Sequence, residues 1–284
     1  TNDKALEASF SYCRKEVKRY DPDRYFSSLL LGREQSCALH SLYAFNLEIA
    51  KIPETVSEPI LGQIRLQWWR DAIEDMFAGK LRGHPIINAL VDTMAIHRLD
   101  QRCFERLLEA RESDLKDQQP LFTSELVSYA SGTSGDLMCL ALNSIDIVDN
   151  HLLEVAREAG IAWALTGLLL AIPYHAARNR CYLPKSLTDE YAIDVSALFA
   201  GRKVEDLRLI VHVMVEEAQK HLTLSRNRQM ELSANGRRVL SHVALAAKNL
   251  HRIERANFNV FNIEELTPLR RQWVILSSAL RKFY

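Results

Sequence analysis

The sequence predicts one all-α domain that spans residues 1–284. Apolar side chains recur every three or four positions through most of the chain, which is the spacing of a helix with one buried face. Only 10 glycines and 8 prolines occur in 284 residues, and the alternation typical of strands is almost absent. No Gly/Ser-rich linker, repeat or abrupt change of composition marks a second domain.

The predicted helices follow one another along the chain. An apolar stripe from Leu6 to Val17 predicts the first helix over residues 5–20, and Pro22 ends it. Further helices are expected over residues 37–52, 64–77, from Pro85 onward, 101–115, 124–142, 149–170, 204–232, 235–256 and 267–283.

Composition and charge exclude several classes of protein. Lys and Arg number 36, as do Asp and Glu, so no net basic field attracts nucleic acid. The longest apolar run, residues 161–172, is shorter than the roughly 20 residues that span a bilayer. The five cysteines lack the spacing of metal ligands, which predicts reduced core thiols without metal or disulfide roles.

Two groups of carboxylates invite a metal interpretation. Asp71, Glu74 and Asp75 share one helix face, as a Mg²⁺-diphosphate site would require, although an ordinary half-exposed helix has the same pattern. The second group has interleaved basic residues and is interpreted as a solvated face or a set of intrahelical ion pairs. Its members are Glu109, Glu112, Asp114 and Asp117.

Other local patterns are more typical of packing than of chemistry. The histidines lack HxxxH spacing, and the glycines match neither a phosphate loop nor a dinucleotide fingerprint. Gly132-Thr-Ser-Gly135 indicates close helix packing rather than phosphate binding. The tryptophans, expected in the core, are Trp68, Trp69, Trp163 and Trp273.

Three stretches read together resemble the squalene and phytoene synthases. They are Tyr25-Phe-Ser-Ser-Leu-Leu-Leu-Gly-Arg33-Glu34 with Tyr43-Ala44-Phe45, then Gln67-Trp-Trp-Arg-Asp71, and then Gly160-Ile-Ala-Trp-Ala-Leu-Thr166 with Arg180-Cys-Tyr182-Leu183-Pro184. The resemblance implies an isoprenoid-synthase-like helical bundle. The residues that match the family's motifs are Ser27, Arg33, Tyr43, Phe45, Trp69, Arg70, Arg178 and Tyr182.

The same resemblance shows which family chemistry is missing. Such enzymes ionise an allylic diphosphate with Mg²⁺ ions held by two Asp-rich helices. Ala50 and Lys51 stand where the first Asp pair is expected, and Ala171 and His175 stand at the second pair. The degenerate site comprises Asn46, Glu48, Ala50, Lys51, Gly167, Leu170, Ala171 and His175. Within it, Lys51 and Glu48 are expected to pair with each other or with His175 and Arg178.

The substitutions themselves resemble a non-catalytic branch of the family. The patterns Asn46-Leu-Glu48-Ile-Ala50 and Pro173-Tyr174-His175 are similar to those of complex I assembly factor 6 and its bacterial relatives. This implies an inactive protein, without catalytic residues, metal or cofactor, that acts through protein partners in the biogenesis of respiratory complex I. It also implies a cytoplasmic location in a bacterium or the matrix side of the inner mitochondrial membrane in a eukaryote, with peripheral membrane association compatible with either.

Two alternatives stay open at this point. The first is a working head-to-head prenyl transferase that recruits Mg²⁺ with Asp71, Glu74 and Asp75. The second is a carrier that uses the family's apolar cavity for an isoprenoid or another apolar ligand.

Overall fold

The computed structural model describes residues 2–80, 82–116 and 118–281, and over these residues it contains helices and no strand. Side chains 2, 3 and 5 are also left undescribed. The all-α prediction is confirmed. None of the helices in these ranges has the length and apolarity needed to cross a bilayer.

The described residues of the first half of the chain form nine α-helices. Helix α2 was not expected from the sequence: Pro22 does end the first helix, but it also occupies the first turn of a new one, where its missing N–H costs nothing. The helices are α1 (Asn2–Tyr20), α2 (Pro22–Ser28), α3 (Arg33–Ala50), α4 (Ile52–Thr55), α5 (Pro59–Phe77), α6 (Pro85–Ile96), α7 (Gln101–Glu112), α8 (Thr123–Ala130) and α9 (Asp136–Asn143).

In the second half, the part that the structure describes forms eight more, several of them short. They are α10 (Asn150–Leu170), α11 (Ile172–Ala176), α12 (Lys185–Glu190), α13 (Val195–Phe199), α14 (Leu207–Arg228), α15 (Ala234–Val239), α16 (Ala244–Arg255) and α17 (Pro268–Arg281). The helix predicted over 235–256 is two helices joined by a 3₁₀ turn at Ser241–Val243. The predicted end of the last helix, at residues 282–283, lies outside the described residues.

One predicted helix is interrupted by a wider turn. Residues 124–142 form α8 and α9 with a π-helical turn, Ser131–Gly135, between them. At this turn Gly160 of α10 approaches so closely that a Cβ on it would lie 2.5 Å from the Cα of Gly135. The Gly132-Thr-Ser-Gly135 motif therefore serves close packing, as the sequence predicted.

The core lies between α10 and the helices around it. α10 packs along α14 and against α9, while α1, α3 and α6 pack against one another. The expectation that the tryptophans are core residues is wrong for Trp273, whose side chain is 66% exposed, and for Trp68, which lies at the surface of α5. All five cysteines are free thiols, as predicted, although Cys37 and Cys181 are only half-buried.

Candidate functional site: two degenerate metal motifs

The end of α3 carries the first half of the candidate site. Asn46 is buried, and its side-chain oxygen has no hydrogen-bond partner among the described residues. Glu48, Ala50 and Lys51 are half-buried at the last turn. Their side chains offer one carboxylate, one methyl group and one cation, which is not a ligand set for a hard divalent ion.

Lys51 is held by the neighbouring helix α1. Its Nζ lies 3.3 Å from Glu16 Oε2 and 3.5 Å from the centre of the Tyr20 ring. Lys51 and Glu48 were expected to pair with each other or with His175 and Arg178, and none of these pairs is present among the described residues. The packing of α1 against α3 brings Glu16 to Lys51 instead.

The end of α10 and the short helix α11 carry the second half. Gly167 is exposed, and apart from its chain neighbours and the backbone of its own helix no atom lies within 4 Å of its ideal Cβ position. Leu170 and Ala171 are half-buried. These three residues line a cavity of about 560 Å³ whose other walls come from α16, Trp163 and residues 260–271. No residue of α3 is among those described as lining this cavity.

His175 packs against aromatic rings. Its ring centre lies 4.7 Å from that of Tyr182 and 5.4 Å from that of Tyr174. Burial lowers the pKa of His175, and the nearby cation of Arg180 lowers it further. The imidazole is therefore neutral at neutral pH, and it does not replace the negative charge of an Asp.

A hydrogen bond joins the two halves of the site. The Tyr174 hydroxyl donates to Glu54 Oε1 on α4 at 2.9 Å, and this hydrogen bond raises the pKa of Tyr174. The Arg178 guanidinium covers the Tyr174 ring at 3.6 Å from its centre. Glu54 was not singled out from the sequence, and only its position three residues beyond Lys51 could have suggested it.

The described residues contain no group of three His, Cys, Asp or Glu side chains arranged to hold a metal ion. Asp71 accepts a hydrogen bond from the Gln67 amide at 2.7 Å. Asp75 accepts one from Arg82 Nε at 2.7 Å, and this contact lowers the pKa of Asp75. Both carboxylates thus accept hydrogen bonds from side chains that are close to them in the sequence.

The second carboxylate group contains a buried charge that the sequence interpretation missed. Asp114 is not part of a solvated face: it is 4% exposed and bonded by Arg111 at 2.9 Å, by the Tyr129 hydroxyl at 2.8 Å and by the Tyr182 hydroxyl at 3.0 Å. We call these four residues the Asp114 cluster. The ion pair with Arg111 was expected, whereas the two tyrosines come from distant positions. Asp117 lies outside the described residues.

The Asp114 cluster holds its tyrosines protonated. Burial raises the pKa of Tyr182 to about 12 and raises that of Tyr129 well above its ordinary value. Burial alone would lower the pKa of Arg111, but its interactions with Tyr129 and with the Asp114 carboxylate raise the value overall. The cluster is therefore one buried ion pair, in which the two tyrosine hydroxyls donate further hydrogen bonds to the Asp114 carboxylate.

Half of the eight residues that match the family's motifs build the core. Phe45 is buried edge-on to Trp69 and Phe104, both at 5.3 Å between ring centres. Tyr43 is buried beneath the Arg24 guanidinium. Ser27 is buried as well, and its hydroxyl donates to the Arg24 carbonyl at 3.0 Å.

The other kept residues lie nearer the surface. Arg70 forms an ion pair with Glu112, and Tyr182 belongs to the Asp114 cluster. Arg33, at the start of α3, and Arg178 are exposed. The structure thus separates a buried set that packs the fold from a set nearer the surface. Of the second set, Arg178 and Tyr182 contact the rings of α11, whereas Arg33 and Arg70 lie away from the candidate site.

Comparison with known proteins agrees with this architecture. The family model for squalene/phytoene synthase matches residues 17–273. The chain belongs to the squalene/phytoene synthase family. A structural neighbour in the same family fold, a dehydrosqualene synthase crystallised with a ligand, superimposes with a TM-score of 0.85 over 100% of both chains at 17% identity.

Among the relatives of this squalene/phytoene synthase family member, some are named as assembly factors and others as phytoene synthases. The mouse protein named "NADH dehydrogenase (ubiquinone) complex I, assembly factor 6" is 27% identical over 257 residues, covering 90% of this chain and 77% of its own. The 15-cis-phytoene synthase of Synechococcus elongatus is 25% identical over 293 residues, covering 97% of this chain and 94% of its own.

Proposed function

We propose that this protein is a catalytically inactive member of its family that acts in the assembly of respiratory complex I through protein contacts. The names of the assembly-factor relatives support the process. The corresponding compartments are the bacterial cytoplasm or the matrix side of the inner mitochondrial membrane.

One observation carries the proposal of inactivity. The four positions at which the family resemblance expects Asp hold Ala50, Lys51, Ala171 and His175. Ionisation of a prenyl diphosphate needs carboxylates that bring Mg²⁺ to the leaving group, and a lysine cation would repel that ion. Lys51 is moreover engaged with Glu16, so it is not poised to bind a diphosphate in place of the metal.

The direct test is an assay of diphosphate release. We expect no release above background from farnesyl or geranylgeranyl diphosphate with Mg²⁺ or Mn²⁺, with a working phytoene synthase as positive control. Turnover that Asp71→Ala abolishes would refute the proposal and support the transferase that uses Asp71, Glu74 and Asp75.

The role in assembly needs a separate test. Deletion of the gene in its own organism should lower the amount of assembled complex I on native gels. The parent and the triple variant Asp71→Ala/Glu74→Ala/Asp75→Ala should both restore it, because the proposed role does not need a metal ion at these three carboxylates. An unchanged complex I level after deletion would refute the assembly role.

The cavity beside Gly167 favours a second candidate, an isoprenoid carrier. Its volume of about 560 Å³ is within the range of ligand sites, and Leu170, Leu245 and Phe261 contribute apolar walls. A second apolar cavity, beside Tyr182, holds only about 20 Å³, room for about one water.

Native mass spectrometry after addition of geranylgeraniol tests the carrier. A bound isoprenoid that is lost in Gly167→Phe, whose new ring would project from the open wall of the cavity, would support it. Equal spectra with and without geranylgeraniol would exclude this ligand for the cavity.

A further inference from the structure

Helix α17 presents an apolar stripe to solvent. Leu269, Trp273 and Leu280 are 78%, 66% and 72% exposed, and Leu276 is half-buried between them. Their spacing of four, three and four residues places all of them on one face of the helix. This is the arrangement of a buried helix face, but here it faces outward.

The opposite face of α17 fixes this orientation. Ile275 and Ser278 are buried, and Arg271 Nε donates to the buried carboxylate of Asp23 at 2.9 Å. α17 packs against α2, α16 and the turn at Ser241–Val243. One face of α17 is therefore packed against the fold, and the apolar stripe on the opposite face is exposed to solvent.

The charges of α17 are all of one sign. Its 14 residues include Arg270, Arg271 and Arg281 and no Asp or Glu, although the whole chain has no net charge. Arg271 faces inward to Asp23, whereas Arg270 and Arg281 are exposed. At 100° per residue, both exposed arginines lie on the same flank, about 80 to 120° around the helix from the stripe.

We propose that α17 docks this stripe into the surface of an anionic lipid bilayer. A helix with Trp and Leu on one face and arginines at its flank has the composition of an interfacial helix. Side chains that are two-thirds or more exposed form a ridge, which fits into the headgroup region without a matching groove. The arginine stems lie along the apolar boundary while their guanidinium groups meet lipid phosphates.

Another exposed stripe, on α5, provides a matched comparison. Ile60 and Ile64 are 54% and 59% exposed, but the stripe begins beside Glu58, and Trp68 at its other end is covered in part by Arg82 and His84. It has similar apolarity, but α5 carries charges of both signs, and its one exposed arginine near the stripe, Arg65, donates to the Thr55 hydroxyl at 2.7 Å. It therefore tests whether exposed apolar side chains alone are sufficient.

The experiment is cosedimentation of the full chain with vesicles of phosphatidylcholine, with or without phosphatidylglycerol. We expect binding to the anionic vesicles, at least about tenfold weaker for Leu269→Gln/Trp273→Gln and unchanged for the control Ile60→Gln/Ile64→Gln. Arg270→Gln and Arg281→Gln should each weaken it about fivefold. Circular dichroism and thermal melting show whether each variant keeps the parent's fold.

A conservative variant gives an independent reading of the contact. Trp273→Phe should keep binding, while the quenching of tryptophan fluorescence by brominated lipid should fall because the inserted indole is gone. Equal binding by parent and stripe variant, or no binding to either vesicle, would overturn the proposal. A dimer that the stripe variant abolishes, without vesicle binding, would assign the stripe to a second copy instead.

Discussion

Two groups of carboxylates in this protein have similar sequence patterns and opposite surroundings. Asp71 and Asp75 lie on α5 at the surface, where Gln67 and Arg82 from the same stretch of chain satisfy them. Asp114 is buried, and its partners Tyr129 and Tyr182 come from positions 15 and 68 residues further along the chain.

The difference shows that spacing along a helix does not determine what a carboxylate does. An exposed carboxylate with a local partner is screened by water and contributes little to folding. A buried carboxylate must have its partners in place, because an unpaired charge in the interior is costly. The group that the sequence made attractive for metal binding is the less constrained of the two.

The largest expected effect comes from breaking the Asp114 cluster. Asp114→Ala should lower the free energy of unfolding by about 3–5 kcal/mol, because Arg111 is left buried without its counter-charge. Urea denaturation followed by circular dichroism measures the loss. Arg111→Met/Asp114→Leu should lose less than the single variant, since no charge is then buried, and a loss as large as the single variant's would contradict the ion-pair argument.

A second prediction extends the comparison to histidines. Burial, followed by the charge of Arg14, lowers the pKa of His40 to about 4, and His40 bonds the Ser28 hydroxyl at 2.8 Å. The unfolded chain therefore binds a proton below pH 6.5 that the folded chain does not bind until about pH 4. Stability should fall through this window, by about 2 kcal/mol between pH 7 and pH 5 from His40 alone.

Denaturation at both pH values, with parent and His40→Gln, measures this contribution. The variant should lose less stability on acidification than the parent. His151→Gln, at a side chain that is 71% exposed, is the matched control and should behave like the parent. An acid sensitivity unchanged by His40→Gln would show that other groups carry it.

Restoring carboxylates to the degenerate site should have a smaller effect. Ala171→Asp/His175→Asp should destabilise the protein by about 1–3 kcal/mol, because it adds half-buried charge without a facing Asp pair and removes the His175 contact with Tyr182. Thermal melting with and without Mg²⁺ tests this. A midpoint equal to the parent's, or one raised strongly by Mg²⁺ with a diphosphate ligand, would contradict it.

The smallest effect is expected at the half-exposed carboxylates of α5. Asp71→Ala should leave the thermal midpoint within experimental error of the parent's, since Gln67, on the same helix, is the hydrogen-bond partner of Asp71 among the described residues. Asp75→Ala should do the same in high salt, where the contacts with Arg82 and Lys80 are screened. A clear loss in either variant would mean that this face carries more than local ion pairs.

The sequence predicted the long helices because their apolar periodicity is a local property. The stripe from Leu6 to Val17 and the run of α10 were recognised in this way. Interruptions were missed where tertiary contact decides them: the π turn at Ser131–Gly135 accommodates Gly160 from another helix. Helix α2 was missed because Pro22, taken as an end, serves as a start.

The site was predictable only as a set of substitutions. Ala50, Lys51, Ala171 and His175 could be placed by family resemblance, but their partners could not, because those partners belong to other elements. Glu16 reaches Lys51 from α1, and Glu54 meets Tyr174 across 120 residues. Such pairs leave no periodic signal in a single sequence.

The contact between Lys51 and α1 has a consequence for how this region responds to its surroundings. The Lys51 ammonium group is covalently part of the chain, so this cation is present whatever the Mg²⁺ concentration of the compartment. Glu16 and the face of Tyr20 hold this tethered cation, whereas a Mg²⁺ ion would have to be recruited from solution. Chelators and swings in divalent-ion supply should therefore leave this end of α3 unchanged.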